Sequence, residues 1–218
     1  MTRWAKVSSR PLRGRRRRAE RPIVKNRLRM LRFWLRTRVR PLRLVIGASG
    51  VYDDGWVPSD VAYLNLLNPG DWKRYFREAS IDTMLAEHVW EHLTPDEGLV
   101  AARVCYKYLR PGGYLRVAVP DGCHPDAAYI AHVRPGGAGP GADDHKILYD
   151  HVSFGRVFEQ AGFRVKPLEH FDAQGLFHRT EWSREDGQVM RSSRFDERNR
   201  DGALNYTSII LDAHKDNR

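Results

Sequence analysis

From Leu42 to Ala213 the chain alternates between short apolar runs and longer stretches in which apolar residues recur every three or four positions. Leu42–Ile46 is an apolar run ending in Gly47-Ala48-Ser49-Gly50, the pattern of a buried strand feeding a tight turn. Ile81–Ala86 is a second run of strand length. Thr94-Pro95-Asp96-Glu97 combines a capping hydroxyl, a proline at the first helical position and a glutamate placed to close a capping box. The helix it opens carries Leu99, Ala102, Val104 and Tyr108, and stops at Pro111-Gly112-Gly113. Tyr114–Val119 alternates as a strand, Ser153 caps a short helix ending at Gly162, and Phe163–Glu169 and Thr207–Ala213 read as two more strands. Strands alternating with helices predict an α/β domain with a mostly parallel sheet and helices on both faces. Gly122–His145 and residues 171–206 lack such periodicity and read as long loops, of the length found in lids or disordered stretches.

The pattern differs in front of this domain. Ile23, Leu28, Leu31, Leu35 and Val39, broadened by Met30, Phe33 and Trp34, recur at helical spacing among arginines, and Pro41 ends the series. Residues 1–22 are punctuated by Pro11, Gly14 and Pro22 around the run Arg15–Arg18, and read as a disordered basic arm. The first 44 residues hold 17 Lys and Arg against the single acid Glu20; the rest hold 20 basic and 26 acidic side chains. The formal charge of +10 therefore belongs to the N-terminal part, beside a mildly acidic body. The expected division is a basic arm over 1–22, a basic amphipathic helix over 23–41 and an α/β domain over 42–215. Residues 1–41 suit contact with nucleic-acid phosphates or with an anionic membrane. No run of 18 apolar residues predicts a membrane span, and no apolar h-region predicts a secretory signal. Cys105 and Cys123 form no CxxC pair and indicate no disulfide framework, so the expected compartment is reducing and cytoplasmic.

Ligands of an open parallel sheet sit at the carboxyl ends of its strands. Gly47-Ala48-Ser49-Gly50 follows the first strand, where small residues let the backbone approach a ligand. Glu87-His88-Val89-Trp90-Glu91-His92 follows the second run. Its His88-x-x-Glu91-His92 string matches an inverted zinc-peptidase motif, but Pro95 opens a new helix too soon for both histidines to share a helical face. Pro120-Asp121-Gly122-Cys123-His124 follows the strand 114–119, and Asp143-Asp144-His145 sets carboxylates beside an imidazole.

In order and spacing, Ala86–Leu93, Leu109-Arg110-Pro111-Gly112-Gly113 and Leu115–Asp121 resemble class I S-adenosylmethionine-dependent methyltransferases, particularly a small bacterial type. The resemblance spans about residues 42–214. It implies a Rossmann-like, seven-stranded, mostly parallel sheet whose last strands are antiparallel, with S-adenosyl-L-methionine as cofactor. It also implies cofactor-binding roles for Gly47, Ala48, Ser49, Gly50, Glu87 and His88. Asp60 stands where an acid would hold the ribose hydroxyls, and Asn65, Leu66 and Leu67 fit the segment flanking the adenine. Val45-Ile46 before Gly47, Ser49 in place of glycine and Asn65 in place of aspartate depart from the family pattern. Candidate proton-transfer groups are His124, His145 and His88, with Asp121 or Asp144 as orienting partners. The acceptor expected is a small molecule or sugar. The alternatives are a degenerate relative that binds nucleic acid or a membrane surface through its basic N-terminus, and a zinc hydrolase built on His88, Glu91 and His92.

Overall fold

The computed structural model describes residues 23–48 and 52–217, with side chains from Leu28 onward. The arm expected over 1–22 lies outside the described residues, as do Ser49 and Gly50. Seven strands are present: β1 Arg43–Ile46, β2 Trp56–Pro58, β3 Ile81–Glu87, β4 Leu109–Pro120, β5 Arg164–Phe171, β6 Phe177–Arg179 and β7 Ser208–His214. They form one sheet in the order β2-β1-β3-β4-β7-β5-β6. The pairs β1–β2, β1–β3 and β3–β4 are parallel, whereas β7 runs antiparallel to both β4 and β5, and β6 antiparallel to β5. The protein is thus an α/β protein with a mixed sheet, parallel from β2 through β1 and β3 to β4 and antiparallel across its last strands, as expected for these.

The helices are α1 Ile23–Arg36, α2 Pro69–Tyr75, α3 Pro95–Tyr108, α4 Ala127–Val133 and α5 His151–Gln160. Successive side chains of a strand point to opposite faces, which sorts the sheet into two apolar layers. Leu44, Met84, Leu115, Val117 and Leu211 bury one face together with Trp72 of α2, Ala102 and Cys105 of α3 and Phe154 and Phe158 of α5. Val45, Leu85, Ala118 and Ile210 bury the other with Trp56, Leu168, Val189 and Trp182. Where helices were expected on both faces, the second face is thus covered by the segment around residues 182–189.

Local chemistry explains most boundaries. The Thr94–Glu97 capping box forms as expected, with Thr94 N donating to the Glu97 carboxylate at 2.9 Å. The cap of α5 is Asp150 and not Ser153: Asp150 accepts from Ser153 N at 2.7 Å, and Ser153 Oγ accepts from Asp150 N at 3.2 Å. α1 ends at Arg36, short of Pro41, because the chain tightens into i→i+3 bonds from Arg38 and Val39. Pro111-Gly112-Gly113 stops α3 but lies inside β4 as an irregularity, since Ile81 pairs with Leu109 whereas Thr83 pairs with Tyr114. A Cβ at Gly113 would meet the Asp82 carbonyl at 2.7 Å, so only glycine fits that crossing.

Candidate functional site

The carboxyl ends of β1 and β3 open into a cavity of about 770 Å³. Its floor is Val45, Ile46, Gly47 and Ala48 from β1, with Leu85 and Glu87 from β3; Trp56, Tyr52 and Asp53 form one wall. Residues 184–198 form the opposite wall, chiefly Arg184, Met190, Arg191, Phe195 and Arg198. Gly47 makes the floor possible. Its φ is +65°, and a Cβ there would stand 2.9 Å from Val89 Cγ2. Beyond it, Ala48 N donates to Ser59 O at 3.0 Å, so the turn after β1 lies beside the Ser59-Asp60 segment that leaves β2.

Residues 171–206, expected as a loop, are held in place by buried charge. Arg116 of β4 is 2% exposed and forms two bonds to Asp212 of β7, at 2.8 and 2.9 Å. Its remaining donors reach Gly187 O at 2.9 Å and Ser183 O at 3.2 Å, with Trp182 stacked on its guanidinium. Buried Glu169 accepts from Trp182 Nε1 at 2.9 Å and from Ser193 N at 2.7 Å. The carboxylate of Glu87 accepts from Met190 N and Arg191 N at 2.9 and 2.8 Å. Charge-assisted bonds of this kind are the stronger class, and here they tie an irregular segment to rigid strands. Arg198 pairs with Asp196 at 2.6 Å and lies over the ring of Tyr206.

Of the cofactor residues expected, Gly47, Ala48 and Glu87 line the cavity. Asp60, Asn65, Leu66, Leu67 and His88 do not. Asp60 accepts from Ala62 N at 2.8 Å, Asn65 Oδ1 accepts from Leu67 N at 2.8 Å, and Leu66 is buried in the core. None of the candidate proton-transfer groups lines the cavity either. Asp121 is fully buried, accepting from Cys123 N at 2.9 Å and Phe171 N at 2.7 Å, and burial pushes its carboxyl up to about 6. His124 stacks on Tyr129 with centroids 4.0 Å apart. Its Nε2 faces Leu204 O and its Nδ1 accepts from Asp126 N, so both nitrogens are engaged, and burial lowers its pKa. His145 Nδ1 faces Val133 O at 2.7 Å; it must donate there, which leaves the lone pair of the neutral ring on Nε2. Asp144 is exposed and paired with Lys146 at 2.9 Å.

His88 has φ +55°. Its Nε2 lies 3.1 Å from Ser208 Oγ and its Nδ1 lies 3.0 Å from the buried carboxylate of Glu91. Burial pushes the Glu91 carboxyl up, but the adjacent His88 outweighs it and the net shift is down. His92 turns instead toward His145, with ring centroids 4.9 Å apart. Trp90–His92 is a 3₁₀ turn between β3 and α3, so His88 and His92 do not share a helical face. Among the described residues, the donor atoms that converge within 4.8 Å belong to Glu91, His92 and His145, a different set from His88, Glu91 and His92.

The sequence did not single out Asp53, Trp56, Arg184 or Arg198 as part of this site. Asp53 and Arg184 pair at 2.8 Å across 131 positions, a proximity with no local signal.

No protein-family model and no curated protein matches this chain. Solved structures of similar shape include a SAM-dependent methyltransferase from Archaeoglobus fulgidus, with 16% identity, 88% of this chain and 93% of that one covered, and a TM-score of 0.45. A possible histamine N-methyltransferase from Thermotoga maritima has 12% identity, 88% and 91% coverage and a TM-score of 0.46. The 1,6-didemethyltoxoflavin-N1-methyltransferase of Burkholderia thailandensis, solved with S-adenosylhomocysteine, has 13% identity, 80% and 71% coverage and a TM-score of 0.45. All three scores are below 0.5, so the α/β assignment rests on the strand order itself.

Proposed function

We propose that this chain is an S-adenosylmethionine-dependent methyltransferase whose cofactor lies in the cavity at the carboxyl ends of β1 and β3, and whose acceptor is a small molecule or sugar. The observation that carries the reading is the Gly47 turn, whose left-handed φ and close approach to Val89 leave no room for a side chain, and which lines a cavity of about 770 Å³ at the sheet end where α/β proteins bind ligands. Gly47 and Ala48 would lie against the cofactor's amino-acid part. Asp60, expected to hold the ribose hydroxyls, lies beside that turn but outside the cavity and caps Ala62 N instead, so it is given no part in holding the cofactor. Trp56 and Tyr52 offer aromatic wall area.

The bound cofactor would supply an electrophilic methyl group on a sulfonium sulfur. The protein's part is alignment of the acceptor and exclusion of water, which the ordered 184–198 wall favours. An oxygen or nitrogen acceptor also needs a base. Of the three histidines considered, His145 keeps an Nε2 lone pair beyond its backbone bond, but it lies outside the cavity like the other two, so none of them is assigned as that base. Hydrogen exchange of the full chain tests the location. S-adenosylhomocysteine should slow exchange in peptides spanning 43–48 and 184–198. Protection confined to other segments would place the ligand elsewhere.

A further inference from the structure

Among its described side chains, α1 docks on the domain by one face. Phe33 is buried there, 4.8 to 6.0 Å from the rings of Tyr63, Tyr75 and Phe76, and Met30 packs beside it. Arg36 adds a bond to Trp56 O at 2.9 Å. Leu28, Leu31 and Leu35 follow one another at i, i+3 and i+7, and so form one stripe, turned away from Phe33. They are 51, 52 and 55% exposed. Trp34 and, just beyond the helix, Val39 are exposed as well. Arg29 and Arg32 flank the leucines and are also exposed.

We propose that this outer face of α1 seats the protein on an anionic lipid bilayer, with the leucines entering the acyl boundary and the arginines meeting lipid phosphates. An interfacial helix has this composition, an apolar stripe bordered by cations. The charge excess of the first 44 residues, 17 Lys and Arg against one acid, complements an anionic surface, to which each cation adds about 1 kcal/mol. Three other occupants fit less well. Residues 1–22 carry eight arginines and a lysine, so they offer the leucines little apolar cover. A second copy would bring Arg29 and Arg32 against their own counterparts. Nucleic acid would satisfy the cations but makes no use of an exposed leucine stripe, and this decides between the two phosphate-bearing partners. Bilayer binding by this face is independent of methyl transfer.

Flotation of the full chain with vesicles tests it, using phosphatidylcholine alone or mixed with phosphatidylglycerol, beside anisotropy titrations of labelled RNA and duplex DNA oligonucleotides. The wild type should bind the mixed vesicles and not the neutral ones. Leu31→Gln with Leu35→Gln keeps the charge and alters exposed positions, so the thermal midpoint should hold while vesicle binding falls about tenfold or more, since two buried leucines are lost. Oligonucleotide binding by that variant should be unchanged. Arg29→Gln with Arg32→Gln should weaken vesicle binding too. The proposal is overturned if the wild type ignores mixed vesicles, or if the glutamine pair binds them as tightly as the wild type. Oligonucleotide binding without vesicle binding would assign the helix to nucleic acid.

Discussion

Asp121 shows how a polar residue at a strand end can serve the fold. It leaves β4 fully buried, and its two oxygens accept from Cys123 N and from Phe171 N at the end of β5. Burial raises its pKa to about 6, against about 3.9 in an unfolded chain. The folded state therefore holds a proton that the unfolded state has released. Its contribution to stability is full below about pH 4 and is lost as pH rises through about 6, a change of roughly 3 kcal/mol. Denaturant midpoints measured across that range should fall with rising pH in the wild type and lose this component in Asp121→Asn; an identical slope in both would contradict the assignment. Pro120-Asp121 was legible in the sequence as a strand-end polar site, but its partner Phe171 N is 50 positions away and left no local mark. Arg116 was illegible for the same reason. In the alternating Tyr114–Val119 run it reads as a solvent-facing residue, and only the β4–β7 register brings Asp212 opposite it.

At the scale of elements, the sequence was informative wherever a backbone bond is made locally. The α3 capping box, the glycine turn after β1 and the apolar runs of β3 and β7 all depend on residues within a few positions of one another. α2 and α4, each seven residues long, were missed, because helices this short draw their stability from packing more than from propensity. The 171–206 segment lacks periodicity because it is held by side chains of the sheet. Removing one such clamp should loosen it. Arg116→Met leaves Asp212 buried and uncompensated, so it should cost about 3–5 kcal/mol in a denaturant melt, with part recovered by adding Asp212→Leu. Glu87→Ala removes the acceptor for two backbone N–H groups, so amide exchange at Met190 and Arg191 should quicken by about tenfold to a hundredfold, following a loss of about 1–3 kcal/mol. Unchanged exchange there would show that the segment holds itself.

Taken as a whole, the molecule joins a basic N-terminal helix to a sheet whose cavity faces the 184–198 wall. The apolar runs at 42–46, 81–86, 114–119 and 207–213 made the central strands readable from sequence, and Gly47, Ala48 and Glu87, expected there as cofactor contacts, line the cavity at the carboxyl edge. The far wall of the cavity was not, since it comes from residues about a hundred positions later. Phe33 links the helix to the body through three aromatic rings, so Phe33→Ala should cost about 3 kcal/mol or more if α1 unfolds with the domain. A melt unchanged from the wild type would mean that the helix is energetically separate. Cofactor binding at the Gly47 turn is read without intermediary by calorimetric titration of the full chain with S-adenosylmethionine and with S-adenosylhomocysteine. One site is expected for each ligand, weakened at least about tenfold in Gly47→Ala, where a Cβ at φ +65° would press on Val89 and shift the turn. Absence of heat from both ligands at about millimolar concentration, with the wild-type chain folded, would contradict it.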